Sequence, residues 1–274
     1  MTMSERLKSR MKKATLVKMC TVGSDDLAIF TFESHEALFP FKAGQYAHLG
    51  LDIGGAFMQR LYSIASSPHE RYHLEFYIVR VSEGKFTTHL FRMREGDEIY
   101  YMGPVGKFTL DRAKGSHLLM VSTGTGLAPY MSMVRKLYVD YRNGEKAFRH
   151  VTIMQGVSHV RDLGYHEELL EMDRDSAFGF RYLPTISRPG EDGSHPPSLS
   201  RSRVNDLVRH LFGEEKSGPV EPSLGQEIRV EKILEEIPPE DTTIYVCGNP
   251  GMIRDIEQLA RAHGYSDILK EDYW

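Results

Sequence analysis

The 274-residue chain is 41% hydrophobic and 26% charged with a formal net charge of −4, which describes one large or two ordinary globular domains and asks for neither nucleic acid nor an anionic membrane. Two cysteines, Cys20 and Cys247, exclude a disulfide framework, a four-cysteine zinc site and an iron–sulfur cluster within the chain, and no metal site is expected. No segment approaches about 18 uninterrupted apolar residues, and the basic opening MTMSERLKSRMKK has no apolar run behind it, so a reducing cytoplasm is the expected setting.

Charge is unevenly spread: residues 1–112 carry a net +2 and the remainder a net −6, so an acidic partner would favour the N-terminal half. Up to about residue 112, short β-rich runs alternate with turn signals: ATLVKMCTV (14–22), LAIFTFES (27–34), QYAHLGL (45–51), FMQRLYSIA (57–65), HLEFYIVRV (73–81) and EIYYM (98–102). Spaced strands of this kind suggest an antiparallel barrel or sandwich, interrupted by one helix over 86–93. In an extended strand, side chains alternate in direction. Arg60 and Tyr62 therefore share one face, Leu61 and Ser63 the other. A cation, an aromatic plane and a hydroxyl are what a flavin with its pyrophosphate needs from a strand edge.

From about residue 115 the pattern changes. HLLMVS (117–122) is a continuous apolar strand, followed by TGTGLAP and a helix, and strands and helices then alternate to the end. That is the pattern of a parallel sheet covered on both faces. The domains are expected at 1–113 and 114–274. Residues 189–226, rich in Pro, Gly and Ser, read as a long connection around a helix at 202–212.

Two glycine-rich strand ends stand out. In STGTGLAP, Gly124 and Gly126 allow close backbone approach to a phosphate and Pro129 suits a first helical turn. In VCGNPGM, Gly248 leaves room for a flat group, Asn249-Pro250 opens a helix that includes Met252, and Cys247 lies at the strand terminus. NAD readers place an acid after the second strand. Here that place holds Gly156, Val157 and Ser158, while Ser187, Arg188, Arg201 and Arg203 follow downstream. Guanidinium groups suit a 2′-phosphate, so NADP(H) is the expected coenzyme.

RLYSIASSP, LEFYIVRVSEGKFTTHL, GTGLAP, VCGNPGM and the terminal DYW, in this order and spacing, resemble the ferredoxin (flavodoxin)–NADP⁺ reductase family, in the bacterial branch ending in Tyr-Trp. The resemblance implies an antiparallel Greek-key β-barrel that binds FAD, followed by an α/β parallel-sheet domain that binds NADP. Carried over residue by residue, it puts Arg60, Leu61, Tyr62 and Ser63 on the flavin. It has Phe76, Tyr77 and Val79 line the ring or ribityl chain, and Lys85, Phe86 and Thr87 meet the pyrophosphate. Thr125 would sit where the two nucleotides approach, Tyr273 would cover the ring face opposite Tyr62, and Trp274 would stack on adenine. Ser187, Arg188 and Arg203 match the family's 2′-phosphate readers. Close relatives can carry an arginine where this sequence has Ser158, a departure that Arg161 could offset.

The implied reaction passes hydride from NADPH to the flavin, with Ser63, Tyr62, Cys247 and Tyr273 arranging the rings and Glu271 or Asp272 handling a proton. Electrons then leave singly to a separate ferredoxin or flavodoxin, and the chain is expected to act as a monomer. Competing expectations are an NAD(P)H:flavin reductase, the reductase component of a multicomponent oxygenase, and a non-catalytic FAD-binding module. Neither GxSxG nor HExxH is present, which argues against a hydrolase, and His166 reads as a helix-surface residue.

Overall fold

The structure, a computed structural model, describes residues 3–191, 196–226 and 228–272. The chain divides into two compact units, residues 1–110 with 128–136, and residues 111–127 with 137 onward.

The first unit follows a short helix α1 (Met3–Lys8) with strands β1 (Lys12–Val22), β2 (Ser24–Ser34), β3 (Tyr46–Ile53), β4 (Ala56–Ser63) and β5 (His73–Val79), helix α2 (Lys85–Leu90) and strand β6 (Glu98–Val105). They form an antiparallel sheet in the order β4-β3-β6-β1-β2-β5. Inward alternation of Ala14 and Leu16, Phe30 and Phe32, and Phe76 and Ile78 builds one apolar core. Between β3 and β4, Gly54 and Gly55 take φ of 59° and 80°, conformations that cost glycine little, and the two-residue turn pins Ile53 opposite Ala56. That register carries on to Leu49↔Arg60 and Ala47↔Tyr62, so the turn decides which way the RLYS side chains face.

Helix α3 (Ala128–Arg142) contributes its first turns to this unit. Ser132 Oγ donates to the Ser66 carbonyl at 2.7 Å, and Arg135 Nη1 donates to the Ala65 carbonyl at 3.0 Å and to Glu75 Oε1 at 2.6 Å. The segment that follows RLYS is thereby held on both sides, since Ala65 N–H also donates to the Glu75 carbonyl.

The second unit contains β7 (His117–Thr123), β8 (His150–Val157), α4 (His166–Arg174), β9 (Phe180–Ile186), β10 (Ser200–Arg201), α5 (Val204–Leu211), α6 (Val230–Glu236), β11 (Thr242–Gly248), α7 (Pro250–Ala262) and β12 (Asp267–Asp272). Its sheet is parallel throughout, in the order β10-β9-β8-β7-β11-β12. Every residue of β11 is buried, as are the first six of β7, because helices cover both faces. The chain order reverses between β7 and β11, and the carboxyl ends of strands at such a switch point are where open α/β sheets bind ligands.

Several elements differ from the sequence-based expectation. The helix placed at 86–93 spans Lys85–Leu90, and that placed at 202–212 spans Val204–Leu211 after the two-residue strand β10. Helices α1 and α6 and the polar edge strand β12 were not foreseen, since none carries a long apolar period. His166 opens α4 as a half-buried residue with Nδ1 3.4 Å from Tyr182 Oη, and burial lowers its pKa, so it is less exposed than its helical pattern suggests.

Candidate functional site

In the first unit, two cations flank an aromatic pair. The Tyr62 ring lies 6.0 Å from that of Phe86 with 31° between planes, so β4 and the start of α2 adjoin. Burial pushes the Tyr62 phenol up to about 12, with Arg60 pulling the other way, so the ring stays neutral at any ordinary pH. The exposed Arg60 guanidinium donates to the Gln59 carbonyl at 2.8 Å. Neither Arg60 nor the exposed Lys85 has a carboxylate partner among the described residues. Leu61 and Val79 are 46% and 47% exposed, large apolar side chains on the surface of this unit. A half-buried aromatic plane flanked by two cations without carboxylate partners fits a flavin dinucleotide.

Three expectations here need correction. Phe76 is fully buried in the barrel core against Phe32, because strand alternation sends it inward while Tyr77 and Val79 take the other face. Its side chain does not line a ring site. The Thr87 hydroxyl accepts the Val81 N–H at 3.1 Å and faces the Gly84 and Val81 carbonyls, so it closes the turn before α2 rather than offering a free donor to a pyrophosphate. Phe86 is likewise a core residue, reaching the site only through its contact with Tyr62. Ser63 is buried and already engaged, as is Cys247 in the second unit.

In the second unit, the two glycine turns meet backbone to backbone at the switch point. A Cβ on Gly126 would fall 2.3 Å from the Cys247 carbonyl oxygen, and one on Gly248, at φ 133°, would fall 2.3 Å from Thr123 Oγ1. The Asn249 N–H donates to the same Thr123 hydroxyl at 2.9 Å. Gly126 and Gly248 are therefore needed to join the strand ends. Gly124, at φ 52°, has nothing within 4 Å of its Cβ position and faces open space. Beside it Thr125 is half-exposed, with its hydroxyl uncommitted among the described residues.

Two further residues expected on the coenzyme are structural. The Asn249 side chain caps α7, accepting N–H bonds from Gly251 at 2.8 Å and Met252 at 3.3 Å. Met252 is 6% exposed in the apolar cluster between sheet and helices. Sequence position alone put both near a ligand; capping and core packing account for them.

At the far side of the same strand ends lies a pocket of about 580 Å³ that gathers Ser158, Ser187, Arg188 and Arg203. These come from three separate stretches. Ser187 and Arg188 are fixed there because their N–H groups donate to the Val157 and Ser158 carbonyls, each at 3.0 Å. Arg203 follows Ser202, a buried residue at φ 136° held by hydrogen bonds to Ile186 and from Thr185. Non-glycine residues in that conformation are strained, and such strain gathers at functional sites. Arg203 has no carboxylate partner among the described residues, and Arg188 only a loose, solvent-exposed contact with Glu191 at 3.9 Å. Arg161 and Arg201 do not line the pocket. Glu191, Asp206, Pro219 and Val220 do, and sequence reasoning missed them.

On the other flank, β12 runs parallel to β11 with Glu271 opposite Cys247 and Asp272 opposite Gly248. Burial, then the charge of Asp272, raises the Glu271 carboxyl to about 7, and its Oε2 is buried without a hydrogen-bond partner among the described residues. Tyr273 and Trp274, expected on the flavin, lie outside the described residues. No helix among the described residues is long and apolar enough to cross a membrane, and they contain no group of three or more metal-binding side chains.

Residues 13–110 match the oxidoreductase FAD-binding domain family and residues 120–258 the oxidoreductase NAD-binding domain family, which makes the chain a two-domain flavin- and nicotinamide-dependent oxidoreductase. It is 34% identical to the ferredoxin–NADP reductase of Azotobacter vinelandii, over 78% of this chain and 75% of that one. It is 30% identical to the flavodoxin/ferredoxin–NADP reductase of Escherichia coli K12, over 84% and 83% respectively. The crystal structure of a Neisseria gonorrhoeae ferredoxin NADP⁺ reductase with bound FAD and NADP superposes with a TM-score of 0.77 at 25% identity, covering 97% of this chain and 99% of that one. The chain belongs to the ferredoxin (flavodoxin)–NADP reductase family.

Proposed function

We propose that this chain uses FAD to exchange electrons between NADPH and a separate ferredoxin or flavodoxin, acting as a monomer in the cytoplasm. The observation that carries the coenzyme choice is the pocket in which Arg188 and Arg203, with Ser158 and Ser187, stand ready for an anion where no carboxylate follows β8 before Asp162. Two guanidinium groups answer a 2′-phosphate dianion, whereas a ribose 2′-OH gains little from them.

Arg60 and Lys85 hold the flavin's diphosphate and Tyr62 supports its ring. Bound FAD supplies a centre that accepts hydride as a pair of electrons and releases electrons one at a time. The chain's own contribution is placement. The turn after β7 leaves Gly124 and Thr125 facing open space, and the joined turns fix the strand ends against which the nicotinamide nucleotide lies. Glu271, poised to hold or release a proton near neutral pH, buffers the proton that accompanies electron transfer. β12 carries the chain to Asp272, opposite Gly248 at the end of β11.

The test is NADPH oxidation by the purified flavoprotein with ferredoxin, flavodoxin or free FMN as acceptor. Saturable turnover with a carrier protein supports the proposal. Turnover with free FMN alone favours a flavin reductase.

A further inference from the structure

Asp206, in the first turn of α5, is 1% exposed yet lines the pocket that holds Arg188 and Arg203. A buried carboxylate in a pocket built for an anion needs explaining, because like charges repel and an unpaired buried charge is costly. Its oxygens are fully occupied. Oδ1 accepts the Ser217 N–H at 2.6 Å and the Ser217 hydroxyl at 2.9 Å, and Oδ2 accepts the Gly218 N–H at 3.0 Å. Gly218 is drawn so close that a Cβ there would lie 2.5 Å from Oδ2. The next two residues, Pro219 and Val220, form part of the pocket's lining. No helix or strand spans residues 214–222, so these hydrogen bonds give the loop an anchor that secondary structure does not.

We propose that Asp206 is a specificity-positioning residue: by tethering Ser217 and Gly218 it holds Pro219 and Val220 as an apolar wall of the pocket and so sharpens selection of 2′-phosphorylated adenosine nucleotides. The inference rests on the pocket being the 2′-phosphate site. A fixed apolar wall removes water from beside the guanidinium groups, which strengthens their hold on phosphate, and a loop already in place loses no entropy on binding.

Calorimetry with 2′-phospho-AMP and with AMP, on the purified flavoprotein and on the Asp206→Ala, Gly218→Ala and Arg188→Ala variants, tests it. Ordering a loop costs on the order of a kilocalorie per immobilised side chain, so the advantage of 2′-phospho-AMP over AMP should fall about five- to tenfold in both loop variants. The KM for NADPH should rise in step, with a smaller change in kcat. Gly218→Ala keeps the carboxylate and sets a methyl against Oδ2 that parts the loop from it, so it decides the matter if Asp206→Ala fails to fold. If Arg188→Ala erodes the advantage and both loop variants leave it intact, the tether has no role in selection. If Arg188→Ala also leaves it intact, the pocket assignment fails and the inference goes with it.

Discussion

The two units recognise nucleotides by different means. In the barrel, the proposed binding groups are side chains of one strand and one helix start, Arg60, Tyr62 and Lys85, the first two set by a hairpin register. In the parallel sheet, the centre of the proposed site is backbone: Gly126 and Gly248 let two strand ends touch, and the side chains proposed to choose the coenzyme arrive from distant loops. A side-chain site tolerates change in its scaffold and fails one contact at a time. A backbone site fails when its geometry is disturbed.

The largest effect is expected where backbone meets backbone. Gly126→Ala or Gly248→Ala should cost about 3 kcal/mol or more and abolish NADPH-dependent turnover, since an added methyl overlaps main chain or the Thr123 hydroxyl. Gly124→Ala meets no atom and should cost only about 1–2 kcal/mol of left-handed strain. Thermal melts of the three variants check this, and equal destabilisation would break the distinction within the motif.

Next comes Glu271. Its carboxyl, ordinary at 4.5 when unfolded and raised to about 7 when folded, means the folded state binds more protons between those values. Stability therefore falls as pH rises from about 4.5 to 7 and stays lowered above that. Glu271→Gln should be more stable than the parent chain by roughly 2–3 kcal/mol at pH 8, the gain vanishing near pH 4.5. Denaturant melts across that range read it directly; a gain that grows toward low pH would contradict the burial argument.

A crossed pair sharpens the contrast between units. Arg203→Ala should raise the KM for NADPH about ten- to a hundredfold through the loss of a charged hydrogen-bonding partner. Tyr62→Ala should instead weaken FAD retention by about tenfold. Equilibrium dialysis for FAD and steady-state kinetics for NADPH separate the two. The smallest effect is Met252→Leu, a volume-conserving core swap expected to cost under about 1.5 kcal/mol and to leave the KM for NADPH unchanged.

This contrast also explains what the sequence revealed. Period-2 alternation and turn glycines made the barrel readable, and continuous apolar strands separated by helices made the parallel sheet readable. A strand's alternation assigns Arg60 and Tyr62 to one face. Phe76 could not be sorted from Tyr77 without knowing which face was the core. Asn249 and Met252 were misplaced because a helix start after a glycine turn looks the same whether its side chains cap, pack or bind. Asp206 was invisible for another reason: its partners are N–H groups 11 and 12 positions on, and backbone donors leave no mark on a sequence.

In the proposed reaction the barrel carries a flavin that NADPH, chosen by the arginine pocket, reduces. Anaerobic titration of the purified protein, reconstituted with FAD where needed and followed by visible absorption, tests it most directly. A yellow protein is expected, bleached by stoichiometric NADPH and only by a large excess of NADH. A protein that cannot take up FAD, or one bleached equally well by both coenzymes, would contradict it.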